Sequence, residues 1–141
     1  MEQKDSKNIL IIIADFYDEI SSNLKNGATN YLNKIKYSYD IKYVPGTLEI
    51  PFILTSFSKK YDGFIVLSCI IKGETDHYDI VKNIAIKEIY KISYANNLIM
   101  GSGIITANNY EQALSRSKIS KENYGGRAAD ACHRLLSLIN E

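Results

Sequence analysis

The sequence predicts a three-layer α/β/α sandwich around a central four-stranded parallel sheet. Three observations carry that expectation. Residues 64–71, FIVLSCII, form an apolar run bounded by Gly63 and by Lys72-Gly73, the pattern of a strand buried on both faces. A second such run, Asn8–Ala14, NILIIIA, lies near the start of the chain. Between and after these runs the period changes from strand-like to helical, giving the order βαβαβαβ followed by helices, and strands joined by helical crossovers make parallel sheets.

Taken in order, Asn8–Ala14 is the first strand. Asp15 and Asp18 follow it, and acids favour a helix start. Ile20, Leu24, Ala28, Tyr31 and Ile35 then recur at steps of three or four and predict one apolar helix face. Residues 39–44, YDIKYV, alternate as a second strand that Pro45-Gly46 ends. Pro51 suits the first turn of a second helix, with Phe52, Leu54 and Phe57 as its apolar face. After the strand at 64–71, Val81, Ile84, Ala85, Ile89 and Ile92 mark a third helix over about 76–94. Residues 98–105 read as a fourth strand, weakened by Gly101 and Gly103. Residues 110–117 form a short helix. A polar stretch, 118–126, precedes a last helix with Ala128, Ala131, Leu135 and Leu138 on its apolar side.

A chain of 141 residues suits one domain spanning 1–141 and is long enough to bury a substantial core. A formal net charge of +1 gives no reason to expect nucleic acid or an acidic membrane surface as partner. The two cysteines, Cys69 and Cys132, lack metal-ligand spacing and suit a reduced, cytoplasmic protein. No run approaches the ~20 apolar residues of a membrane helix, and MEQKDSKN at the start has no signal-peptide core.

The stretch from Asp62 to Tyr78 organises the rest, because it places His77 where a central strand hands over to a helix. In open α/β sheets that crevice is where ligands bind. An imidazole there can move protons at neutral pH, although an isolated histidine is often merely packed. Gly73-Glu74-Thr75 either cradles a phosphate on backbone N–H groups and the Thr75 hydroxyl or forms an ordinary helix cap. Glu49 either accepts hydrogen bonds from a polyol or serves as a helix N-terminal acid. Phe16 either stacks on a flat ring or packs. Arg116, with Lys118 and Lys121 nearby, either binds phosphate or belongs to a solvated face. His133 has no such context and reads as a surface or packing residue. Apart from His133 and the Arg116 group, all of these fall at strand C-terminal ends.

The segments VPGTLEIP, IIKGETDH and GIITANNYEQA together resemble those of the 6,7-dimethyl-8-ribityllumazine synthase family of riboflavin biosynthesis, and the similarity runs from the first strand to the last helix. The resemblance implies a flavodoxin-like fold and a condensation of 5-amino-6-(D-ribitylamino)uracil with 3,4-dihydroxy-2-butanone 4-phosphate. The products are 6,7-dimethyl-8-ribityllumazine, phosphate and water, and the step is the penultimate one of the pathway. It implies small-molecule substrates, no cofactor and no metal, and a homo-oligomer, a pentamer or a multiple of pentamers, with sites between neighbouring subunits. By motif match it implies His77 as the proton-transfer group and Phe16 as the ring that stacks on the pyrimidine. Thr47, Leu48 and Glu49 match the segment holding the ribityl chain, and Cys69, Ile70 and Ile71 match the strand end beside the pyrimidine. Glu74, Thr75 and Arg116 match the phosphate side. The chain departs from the family at three places. Ser102 stands where many members contribute a phenylalanine across the interface to the pyrimidine site. Tyr17 replaces a frequent asparagine. Residues 118–125 differ from the stretch common in capsid-forming members.

Overall fold

In the computed structural model, residues 7–74 and 77–140 are described. The elements are β1 (Asn8–Ala14), α1 (Asp18–Lys34), β2 (Ser38–Val44), a 3₁₀ turn (Thr47–Glu49), α2 (Ile50–Ser56), β3 (Gly63–Ile71), α3 (Tyr78–Ala95), β4 (Met100–Ala107), α4 (Tyr110–Ser117) and α5 (Tyr124–Ile139). The sheet order is β2-β1-β3-β4 and every pair is parallel. The three-layer flavodoxin-like fold expected from the sequence is therefore present.

The apolar runs become the inner strands because parallel strands covered on both faces need apolar side chains on both. All of β3 is buried, and so is β1 after Asn8. Alternation splits β1 between two cores. Ile9, Ile11 and Ile13 pack with Ile20, Leu24, Ala128, Ala129 and Cys132 of α1 and α5. Leu10, Ile12 and Ala14 pack with Ile50, Leu54 and Ile89 of α2 and α3. Thus α1, α4 and α5 cover one face, and α2 and α3 the other.

Four expectations about helix faces and strand ends need correction. Phe52 is 74% exposed, because α2 turns Ile50 and Leu54 to the sheet. Ile84 is half exposed, while Ala85, Ile89 and Ser93 form the buried side of α3. β4 begins at Met100, because Asn97 adopts a left-handed conformation and Leu98 still bonds back to Ser93. In α5 the inward face is Gly125, Ala128, Ala129, Cys132 and Leu136, whereas Ala131, Leu135 and Leu138 point outward. This helix also starts earlier than the polar stretch suggests, at an Asn123 cap whose side chain accepts from the Gly126 N–H.

Close packing decides the α5 face. A Cβ on Gly101 would stand 1.8 Å from the Ala128 carbonyl oxygen, and one on Gly125 would stand 2.1 Å from the Leu24 carbonyl oxygen. Small residues on both sides let helix backbone rest on strand and helix backbone. The glycines of β4 are therefore a seat for α5 rather than a flaw in the strand. No helix among the described residues is long and apolar enough to cross a membrane.

Candidate active site

Sheet topology builds the site. β1 lies between β2 and β3, so the chain reverses its direction of travel across the sheet there. The helix after β1 packs on one face and the helix after β3 on the other. Their connecting loops diverge and leave a crevice beyond the strand ends. A cleft of about 210 Å³ occupies it, lined by Ala14, Phe16 and Tyr17 from the β1 exit, Gly46, Thr47, Leu48 and Glu49 after β2, Ser68, Cys69, Ile70, Ile71 and Glu74 of β3 and its loop, and Val81 of α3.

The cleft thus brings together Phe16, Thr47, Leu48, Glu49, Cys69, Ile70, Ile71 and Glu74 from segments far apart in the chain. Its floor is apolar and its rim is mixed. Phe16 is 72% exposed, its ring standing edge-on to Tyr17 at 4.9 Å and 82°. A large apolar ring left in water at a cleft mouth offers a face for a flat ligand. Leu48 is also exposed beside it. Glu49 begins α2 without capping it by side chain, which keeps its carboxylate at the rim.

Buried hydroxyls anchor the wall opposite. Thr47 and Ser68 are both buried and hydrogen-bonded to each other, tying the 3₁₀ turn to β3. Such a bond satisfies two polar groups that burial would otherwise leave costly. Ser68 is a site residue that the sequence reading passed over. Its signal was legible, since a lone serine inside an apolar strand needs a partner.

Burial, followed by the Glu74 carboxylate, pushes the Cys69 thiol up to about 12. Burial does the same to Cys132. Because the thiolate is the reacting form, Cys69 is a shape element of the cleft rather than a nucleophile. Raising a thiol from 9.0 to about 12 cuts its thiolate fraction at pH 8 by roughly a thousandfold. Native protein at pH 8 is accordingly expected to resist alkylation by iodoacetamide at both cysteines, with labelling released by denaturant. Rapid native labelling at Cys69, read by peptide mass mapping, would contradict this.

Tyr17 also lines the cleft, and burial, then the neighbouring Glu74 carboxylate, pushes its phenol up to about 12. The sequence reading noted Tyr17 only as a replacement.

The other expected residues stand elsewhere. His77 is exposed at the N-cap of α3, just past the loop that carries Glu74, and its carbonyl accepts from the Val81 N–H at 2.8 Å. Arg116 lies in the last turn of α4 and donates from Nη1 to the Thr106 carbonyl at 2.6 Å, which pins it to the C-terminal end of β4. Ser102 lies half-buried in the middle of β4, opposite Val66, and strand alternation turns it away from α5. Neither Arg116 nor Ser102 lines the cleft of its own chain. Thr75 lies outside the described residues.

Comparison with known proteins adds a separate line of argument. The family model described as 6,7-dimethyl-8-ribityllumazine synthase matches residues 6–140. A 6,7-dimethyl-8-ribityllumazine synthase from Bartonella tribocorum is 39% identical over 140 residues, covering 97% of this chain and 93% of that protein. Its namesake from Bartonella henselae is 40% identical over 135 residues, covering 93% and 87%. One from Paramagnetospirillum magneticum is 39% identical over 142 residues, covering 94% and 95%. A solved lactose-specific IIB component domain from Streptococcus pneumoniae overlays with a TM-score of 0.38 at 11% identity, covering 94% of this chain and 96% of that one, a likeness too loose to bear on fold or chemistry. Sequence similarity along almost the entire length, and not the cleft alone, establishes that the chain belongs to the 6,7-dimethyl-8-ribityllumazine synthase family.

Proposed function

We propose that this chain catalyses the reaction for which its family is named, condensing 5-amino-6-(D-ribitylamino)uracil with 3,4-dihydroxy-2-butanone 4-phosphate to 6,7-dimethyl-8-ribityllumazine, phosphate and water. The observation that carries the reading of the site is the cleft at the β1/β3 switch point. One flat wall, Phe16, is exposed for stacking on the pyrimidine. The β3 end, Cys69, Ile70 and Ile71, gives the ring an apolar edge, and Thr47, Leu48 and Glu49 receive the ribityl chain, whose hydroxyls suit the Glu49 carboxylate.

The chemistry follows from what these groups can do. The arylamine attacks the ketone and loses water to give an imine, loss of a proton and of the phosphate from the neighbouring carbons leaves an enol that tautomerises to a ketone, and the ribityl-bearing amine attacks that ketone and closes the ring with loss of a second water. His77, at the α3 N-terminus beside the cleft loop, shuttles the protons. The N-terminal end of α3 forms the phosphate side, to which the family motif also assigns Glu74 and Thr75. Arg116 supplies a charge-assisted contact to the phosphate and stabilises it as it departs. Holding two substrates together contributes much of the remaining rate, without another catalytic residue.

Oligomerisation completes the site. Arg116 and Ser102 do not line their own cleft, so a neighbouring copy brings them to it. Apolar side chains left in water support such an assembly: Phe52 on α2, Ile80 and Ile84 on α3, and Leu138 and Ile139 on α5 are each more than half exposed. A pentamer, acting in the cytoplasm on small-molecule substrates, is the state proposed, and sedimentation tests it.

Two experiments test the reading. Purified protein incubated with both substrates should develop lumazine absorbance and fluorescence. Mixing a Phe16→Ala variant with an Arg116→Ala variant, each of low activity, should restore activity, because some clefts then combine an intact Phe16 with a neighbour's intact Arg116. No recovery despite demonstrated subunit exchange would place both residues in one subunit's site.

A further inference from the structure

The β1–β3 ladder stops at Ile13 opposite Leu67, while β3 stays paired with β4 as far as Ile71. Ser68 is therefore the first residue of β3 past the point where β1 leaves it. Strand alternation groups it with Phe64 and Val66, on the face that α2 and α3 cover. There it meets Thr47, which opens the 3₁₀ turn leading into α2. Ser68 is 1% exposed and Thr47 5%, and both line the cleft.

Hydrogen-bond accounting leaves one group over. Each hydroxyl has one proton to donate and two lone pairs. The bond between Thr47 Oγ1 and Ser68 Oγ uses one of the two protons, whichever residue donates. Among the described residues no group takes the other. A buried O–H without an acceptor is costly, and the cleft is the space that both side chains border. The pair thus offers one donor to whatever fills a cleft with an otherwise apolar floor.

The oxygen it suits can be argued from the remaining groups. The N–H groups of Phe64 and Lys72 donate to Ile99 and Ala107, on the β4 side. Alternation along a parallel strand turns those of Cys69 and Ile71 the other way, toward the crevice that β1 has left, where they can serve the carbonyls of a flat ring. A polyol differs, because each of its hydroxyls both donates and accepts. Glu49, on the same turn as Thr47, only accepts when ionised, so it satisfies the protons of a polyol and not its oxygens.

We propose that Ser68 is a specificity-determining residue: with Thr47 it presents a hydroxyl donor to an oxygen of the ribityl chain, complementing the Glu49 carboxylate. The inference rests on the cleft being the lumazine-forming site.

The test is calorimetric binding of 5-amino-6-(D-ribitylamino)uracil and of 5-amino-6-(pentylamino)uracil, which lacks the side-chain hydroxyls, to wild type and to a Thr47→Val, Ser68→Ala double variant. Replacing both partners of a buried hydrogen bond by apolar groups of similar shape leaves no orphan, so the thermal midpoint should move little. The ribityl compound should bind the variant roughly three- to tenfold more weakly, and the pentyl compound within about twofold of wild type. Should valine crowd the cleft and prevent folding, Thr47→Ala with Ser68→Ala removes the same hydroxyls with less bulk and carries the same expectation. Unchanged affinity for the ribityl compound, or equal weakening of both compounds, would overturn the role of Ser68. Wild-type protein that binds neither pyrimidine would instead overturn the reading of the cleft.

Discussion

His77→Ala is expected to lower kcat by about a hundredfold while leaving both KM values within about a factor of two, because general acid–base groups typically contribute ~10²–10⁴-fold to the chemical step. The histidine stands exposed at the start of α3, outside the lining of the apolar cleft, so in the proposed role its loss would remove a proton carrier without removing a wall. Turnover should remain measurable, since proximity alone can supply ~7–11 kcal/mol of the barrier. Arg116→Ala is expected to behave in the opposite way. A charge-assisted hydrogen bond is lost on one substrate only, so the KM for the butanone phosphate should rise roughly ten- to hundredfold, with pyrimidine affinity little changed. Inorganic phosphate should compete at the wild-type site and much less at the Arg116 variant. Steady-state kinetics with each substrate varied separately distinguishes the two patterns. If His77→Ala raised KM and spared kcat, the proton-transfer role would belong to another group. If Arg116→Ala spared phosphate inhibition, Lys118 or Lys121 would be the next candidates for the anion contact.

The separation of these roles was legible in the sequence to differing degrees. β1 and β3 announce themselves, because a strand covered on both faces has no room for alternation and shows an unbroken apolar run. Once those strands are placed, the cleft follows from topology, which is why Phe16, Thr47, Glu49 and Glu74 meet although they are scattered along the chain. What the sequence conceals is pairing between side chains. Nothing local tells that Ser68 finds Thr47 or that Tyr17 and Glu74 line one cleft, since this depends on how far each loop leans across the crevice. A linear reading also merges residues that one copy supplies with those proposed to come from its neighbour. Arg116 and Ser102 joined the same motif set as Phe16 but lie outside that cleft. The α5 face was misjudged for a different reason. Leu135 and Leu138 offer more apolar area than Ala128, Ala129 and Cys132, and hydrophobicity alone favours turning them inward. The distance permitted by the β4 glycines selects the small residues instead, since helix backbone in contact with strand backbone leaves no space for leucine.

That contact also sets the largest stability effect expected in the molecule. Gly101→Ala places a methyl group where 1.8 Å separates it from the Ala128 carbonyl oxygen, 2.8 Å from the Ala128 carbonyl carbon and 3.1 Å from the Cys132 nitrogen. All three atoms are main chain, so no rotamer change relieves the clash, and α5 must lift from the sheet. Lifting it unseats Ala128, Ala129, Cys132 and Leu136 from the core they share with β1, β3 and α1. Overpacking that side chains can absorb costs ~1–3 kcal/mol, and a clash against backbone should exceed this range. Against a typical total stability of ~5–15 kcal/mol, a loss of about 4 kcal/mol is a large fraction. The expected result is a strongly lowered denaturant midpoint, or insoluble protein. Gly73→Ala provides the contrast. Its added Cβ meets nothing within 4 Å, but φ is +87°, so the penalty is confined to backbone strain of ~1–2 kcal/mol in the loop before His77. That variant should fold with a modestly lowered midpoint and lose activity out of proportion to its stability, because the strain falls on the loop that carries Glu74. Should Gly101→Ala unfold at the wild-type denaturant concentration, the α5 backbone does not rest on β4, and the inward face of this helix must be assigned again.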